Sequence, residues 1–154
     1  MKRYIHYGSS SFDPERFKSI EGYEHIDEYS ALNKPRHGVG LWGSPVDGCY
    51  ISWKDWCEGE DFHTEKLNES FEFTLKPEAK ILTVESFPHI FPYLKEYKIG
   101  PFIDRCIDFK AIFDKFDSME LVLSPETYME LHDGIFYTWD CDSIIVWNKE
   151  VIVV

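Results

Sequence analysis

Three glycines within six positions, Gly38, Gly40 and Gly43, bracket Leu41 and Trp42, and no other stretch constrains the fold as much. A strand that packs both faces on ordinary core has no use for such a run. Glycine inside a strand marks a bulge, or a place where another backbone or a ligand comes close. On that reading the Trp42 ring has open space above and below it and serves as a stacking platform. The competing reading is a glycine-rich loop around a core tryptophan. Downstream, Ser52 stands where a helix cap belongs, followed by Trp53, Trp56 and Cys57 at the spacing of one helical face.

A chain of 154 residues is expected to form one domain spanning 1–154, with a single sizeable core. The aromatic share of 17% is high and suggests ring-rich packing or a ring-lined cleft. A net charge of -12 repels phosphate backbones, which makes general nucleic-acid binding unlikely. It leaves room for a local basic pocket that holds one small anion. No apolar run approaches a membrane span, and Met1 to His6 lacks the apolar core of a signal peptide. Cys49, Cys57, Cys106 and Cys141 form no CxxC pair, so reduced thiols and a cytoplasmic location are expected, without a metal site.

Residues 3–8 are β-prone and end on a glycine. Asp13 and Pro14 suit the start of a short helix over residues 15–20. Residues 21–37 are polar and without a clear period, and a strand is expected over 38–44. Phe71, Phe73 and Leu75 alternate with polar neighbours, residues 79–84 read as a further strand, and Lys76-Pro77-Glu78 suits the turn between them. Helical spacing predicts helices over 88–98 and 108–116. Residues 120–123 read as a strand and 125–131 as a short helix. The chain closes on an apolar strand over 142–147, a turn, and a last strand over 151–154. Strands and helices mix without regular βαβ alternation, so the class is α+β.

Strand alternation puts His6 and Gly8 on one face, beside Ser9, as a cradle for a planar polar group or a sugar hydroxyl. Asp140 and Asp142, at i and i+2 before the most apolar strand, share a face of an extended segment. They read either as turn residues or as acids aimed into a cleft. No GxSxG, P-loop or GxGxxG motif is present.

Taken in order, His6-Tyr7-Gly8-Ser9, Gly40-Leu41-Trp42-Gly43-Ser44 and an acid ahead of Ile144-Ile145-Val146-Trp147-Asn148 resemble the ADP-ribosyltransferase-like domain. Poly(ADP-ribose) polymerases, diphtheria-toxin-type toxins, RNA 2′-phosphotransferases and many bacterial and phage effectors share it. The resemblance implies two small mixed or antiparallel sheets forming a cleft, with short helices around it. It implies NAD as substrate and an unknown macromolecular acceptor, most simply a protein. Carried over by position, His6 would bind the adenosine ribose, and Gly8 with Ser9 the nicotinamide amide. Trp42 would stack on nicotinamide in place of a tyrosine, with Ser52 beginning the helix behind it. Asp142 would be the acid, Asp140 the alternative. Counting back from Trp147-Asn148 instead puts Ser143 at the acid position. The alternatives to a transferase are a catalytically silent nucleotide- or partner-binding domain on the same scaffold, and an acidic decoy that inhibits a host defence or nucleic-acid-binding protein.

Overall fold

The computed structural model describes residues 1–18, 33–35 and 39–154. Seven of its strands form one mixed sheet: β1 (Tyr4–Tyr7), β2 (Leu41–Pro45), β3 (Ser70–Leu75), β4 (Ile81–Val84), β7 (Ser118–Leu121), β8 (Ser143–Val146) and β9 (Ile152–Val153). Their order across the sheet is β4-β7-β8-β2-β1-β3-β9. Only β4 and β7 run parallel; every other neighbouring pair is antiparallel. A parallel pair needs a long crossover. Residues 85–117 supply it, carrying α2 (Phe87–Ile90), the hairpin β5 (Leu94–Ile99) and β6 (Phe102–Ile107), and α3 (Phe109–Phe113). The α+β class is as expected.

The topology forces the sheet to curl. β3 and β4 lie five strand spacings apart in the order, roughly 24 Å if the sheet were flat. Residues 76–80 join them, and the chain from Leu75 to Ile81 reaches at most about 21 Å when fully extended. It is not extended, because the Ala79 N–H folds back to the Lys76 carbonyl at 3.0 Å. The two edges must therefore approach each other. Ala79 and Ile81 pack inside the curl against an inner core of Tyr4, Leu41, Phe71, Phe73, Leu75, Ile144, Val146 and Val151. The outer face carries Met119, Leu121, Ile145 and Trp147, covered by Phe109 and Ile112 of α3 and by Leu131, Phe136 and Trp139. Strand alternation explains how β8 serves both cores, and all four of its residues are buried.

Most of the expected strands form. The helix expected over 88–98 does not: Phe87–Ile90 is one short turn of helix, Phe91–Tyr93 a 3-10 turn, and Leu94–Ile99 a strand. Pro92 stops the helix, since its ring displaces the backbone of the preceding turn and it has no N–H to donate. The hairpin then turns at Gly100, whose φ of +56° is open to glycine at little steric cost. In the 108–116 stretch α3 starts where the spacing puts it, capped by the Asp108 carboxylate on the Ala111 N–H. Asp13 caps only a turn, its Oδ1 accepting from the Glu15 N–H at 3.0 Å. The remainder of the expected 15–20 helix, the irregular stretch up to 32, and Gly38 lie partly or wholly outside the described residues.

The glycine run has a packing explanation at two positions. A Cβ on Gly43 would sit 2.8 Å from two ring carbons of Phe73, in the inner core. One on Gly40, whose φ is +72°, would sit 2.7 Å from the Val146 carbonyl oxygen. Gly43→Ala is expected to destabilise the fold by about 1–3 kcal/mol, because Phe73 has no free volume to retreat into. A urea titration followed by circular dichroism reads this directly; an unchanged midpoint would show that Phe73 yields.

Candidate functional site

The sheet forks at its centre. β1 and β2 pair only through Tyr4↔Pro45 and Ile5↔Ser44. Beyond that point β1 follows β3, with His6↔Phe71 and Tyr7↔Ser70, while β2 follows β8, with Trp42↔Ile145 and Gly43↔Ile144. The gap between the diverging strands is the floor of a cleft of about 670 Å³, a volume suited to a small-molecule ligand.

His6 spans the fork. Its Nδ1 lies 2.7 Å from the Trp42 carbonyl oxygen. A carbonyl only accepts, so Nδ1 carries the proton and a neutral ring leaves Nε2 as an acceptor. The Phe71 ring packs against the imidazole at 5.2 Å between centroids.

Trp42 lines the cleft but is no free-standing platform. The Trp139 ring meets it edge-on at 4.9 Å, and the Lys34 ammonium sits 5.8 Å from its centre. Trp139 is itself 1% exposed and donates its indole N–H to the Asn33 carbonyl at 2.7 Å.

The opposite wall comes from α1 (Trp53–Glu60) and the turn after it. Ser52 caps this helix as expected, accepting the Asp55 N–H at 3.1 Å. The Ser44 hydroxyl accepts the Trp53 N–H at 3.2 Å and donates to the Asp142 carbonyl at 3.4 Å, which ties the helix start to both β2 and the approach to β8. Trp53 stacks on Trp56 at 5.2 Å and 16°, and Phe62 meets both rings edge-on. Trp53, Phe62, His63 and Lys66 face the cleft, with Phe62 at 41% exposure on its rim.

The segment before β8 sorts its acids to different places. Asp140 lines the cleft and is half-buried. Burial pushes its carboxyl above the ordinary carboxylate value; Lys34 and His132 pull it back in part, and Glu60 adds to the rise. Asp142 does not line the cleft. It is 1% exposed, and its two oxygens accept the Ile51 N–H at 2.8 Å and the Leu123 N–H at 2.9 Å. Burial raises its carboxyl more than those N–H groups lower it. The expectation that both acids share a face fails because residues 141–142 form a bend, and alternation holds only along an extended strand.

Ser143 does line the cleft, at 9% exposure, with its hydroxyl donating to the Cys141 carbonyl at 2.9 Å. Beside it, burial pushes the Cys141 thiol up to about 12, so it is a protonated wall residue and no thiolate nucleophile.

Of the residues singled out in the sequence, the cleft brings together His6, Trp42, Asp140 and Ser143. Gly8, Ser9, Ser52 and Asp142 are not among its lining residues. Gly8 extends the β1–β3 ladder through its N–H to Glu69, and the Ser9 hydroxyl closes a local turn on the Ser11 carbonyl. The β5–β6 sheet adds nothing to the lining either, so the cleft lies within one forked sheet and not between two separate ones. Lys34, Tyr7, Phe62, His63, Lys66 and Trp139 belong to the site and carried no sequence signal beyond the unusual density of rings.

Charge is distributed unevenly. Within a chain of net charge -12, the described lining residues include Lys34, Lys66, His6 and His63, with Asp140 as the one carboxylate among them. Among the described residues no group of three His, Cys, Asp or Glu side chains is placed to hold a metal ion, and no helix is long and apolar enough to cross a membrane. No protein-family model, curated protein or solved structure matches this chain.

Proposed function

We propose that the cleft binds NAD and that the protein is an ADP-ribosyltransferase-like enzyme acting on a macromolecular acceptor. One observation carries the reading: His6, Trp42 and Ser143, far apart in sequence, line one cleft at the fork, with Asp140 as its carboxylate. The resemblance expects a ribose-binding histidine at His6, a stacking ring at Trp42 and an acid at Asp142, Asp140 or Ser143; of those three, Asp140 and Ser143 line the cleft and Asp142 does not. The local excess of basic groups suits a diphosphate despite the acidity of the chain as a whole.

Cleaving the nicotinamide–ribose bond sends its electron pair to the ring nitrogen, so nicotinamide leaves neutral while positive charge grows on the sugar. The chemistry calls for a ring held by stacking, a ribose held by hydrogen bonds, and a carboxylate beside the sugar. Trp42 supplies the ring contact and His6, through Nε2, a hydrogen bond to a hydroxyl. Asp140 faces the positive charge and accepts the proton of the acceptor nucleophile as its bond to the anomeric carbon forms. With Asp142 outside the lining and Ser143 carrying no carboxylate, that work falls to Asp140.

A second reading is favoured by the engagement of Ser143 with Cys141 and of Asp142 with two backbone N–H groups. It is a silent nucleotide-binding domain on the same scaffold. Calorimetry with NAD, followed by chromatography for released nicotinamide with and without cell lysate, separates the two. Binding with release supports the transferase, and binding without release supports the silent domain. Absence of NAD binding excludes both.

A further inference from the structure

Lys34 lies over the ring of Trp42, and both residues line the cleft. Its ammonium stands 5.8 Å from the ring centre, within the range at which a cation is attracted to the π face of tryptophan. The contact is built and not incidental. Asn33, immediately before it, is held at φ +49° by two hydrogen bonds. Its carbonyl accepts the indole N–H of Trp139 at 2.7 Å, and its Oδ1 accepts the Ile107 N–H at 2.8 Å. Trp139 is the residue that backs Trp42 edge-on. One buried indole therefore fixes both the platform and the backbone from which Lys34 reaches over it. The nearby carboxylate of Asp140 completes an environment matched to a positive charge above an aromatic ring.

We infer that Lys34 is a built-in competitor: its ammonium fills a cation-on-aromatic site in the free protein, and a cationic heteroaromatic ring binds by displacing it. This rests on reading the cleft as a ligand site, though not on turnover of NAD. A ring carrying a positive charge, such as a pyridinium, meets the same π face and the same carboxylate as the ammonium does. A neutral ring of equal shape gains the stacking and forgoes the charge. Every such ligand binds only the fraction of molecules from which Lys34 has withdrawn, so its apparent affinity is lowered by that fraction. Lys34 thus sets a threshold against weak planar ligands, and a ligand must bring further contacts to pass it.

The test uses two small probes of one shape, 1-methylnicotinamide (cationic) and nicotinamide (neutral), titrated into the full chain and followed by ligand-observed NMR. Lys34→Gln removes the competitor and keeps a polar side chain. It is expected to tighten the cationic probe by roughly two- to thirty-fold, the range that corresponds to a cation–π contact. The cationic probe should then be preferred over the neutral one, and adding Asp140→Asn should erase that preference. Lys34→Arg, which keeps a cation over the ring, should retain wild-type affinity. Unchanged or weaker binding of the cationic probe to folded Lys34→Gln overturns the inference, as does a gain of equal size in Lys34→Arg or no detectable probe binding to any variant. NAD titrated in parallel keeps the two readings apart. A probe response without NAD binding refutes only the proposed function, and NAD binding without the response to Lys34→Gln refutes only the competitor.

Discussion

Asp142→Asn should lower the free energy of unfolding by about 2–4 kcal/mol, a large part of the stability of an ordinary domain. The carboxylate is buried and its two oxygens accept N–H groups from Ile51 and Leu123, on segments remote from each other in sequence. An asparagine oxygen accepts one of them, while its NH₂ group then faces the other N–H, donor against donor. One charge-assisted hydrogen bond is lost and one buried donor is left without a partner. Asp142→Ala removes both acceptors and should cost more, about 3–5 kcal/mol. Because the Ile51 N–H lies just ahead of Ser52 and α1, the loosened segment also carries the Trp53 wall of the cleft. Urea unfolding followed by circular dichroism checks the prediction. A wild-type midpoint for Asp142→Asn would mean that the clamp contributes nothing, and Asp142 would return as a candidate acid.

The resemblance makes Asp142 the first choice for the acid, and of the two carboxylates it stands nearer the most apolar strand, where the backbone is better fixed. That reasoning located the better-fixed carboxylate correctly and misjudged what fixes it. A rigid backbone next to a core strand is also where a carboxylate is most readily used up on backbone N–H groups. Phe71, Phe73 and Leu75 are legible because alternation alone decides a half-buried strand, and Ser52 because a cap acts within three residues. The fork was not legible. It depends on β1 choosing β3 and β2 choosing β8 beyond Ile5↔Ser44, a pairing choice no local pattern encodes. Gly43 was noticed for the right physical reason, close approach, but the approaching group is Phe73 from a strand thirty residues on. The expected helix over 88–98 takes in β5 because Ile90, Tyr93, Leu94 and Tyr97 recur at helical spacing. The Gly100-Pro101 pair was the available sign of a turn. Lys34 reaches Trp42 from a backbone that Asn33 ties to Trp139 and Ile107, tertiary contacts with no trace in spacing.

Asp140→Asn should leave the fold intact and reduce nicotinamide release by a factor on the order of 10²–10³, the usual loss when one group that stabilises transition-state charge is removed. The side chain is half-buried and sits on the cleft wall, and no described residue clamps it through backbone N–H groups as Ile51 and Leu123 clamp Asp142. The amide keeps its shape, and the change also removes a charge whose burial is unfavourable. Folding stability should therefore stay level or rise slightly. The sign can be worked from the raised carboxyl. A native value above the unfolded one means that the folded state holds its proton more tightly, so this group favours folding most at low pH. That contribution disappears as pH rises through the shifted value, and at neutral pH the ionised carboxylate opposes folding. In the proposed reaction the requirement runs the other way, since only the ionised form would stabilise the sugar cation and accept a proton. In wild type the acid limb of the pH–rate profile should accordingly fall at a higher pH than an ordinary aspartate gives, and in Asp140→Asn this limb should vanish along with most of the rate. NAD affinity, measured by calorimetry at pH 7, should change far less than turnover, because stacking and ribose contacts remain. Equal turnover in wild type and Asp140→Asn, with the acid limb still in place, would show that no carboxylate of this cleft takes part. The protein would then be a nucleotide-binding domain whose forked sheet holds NAD without cutting it.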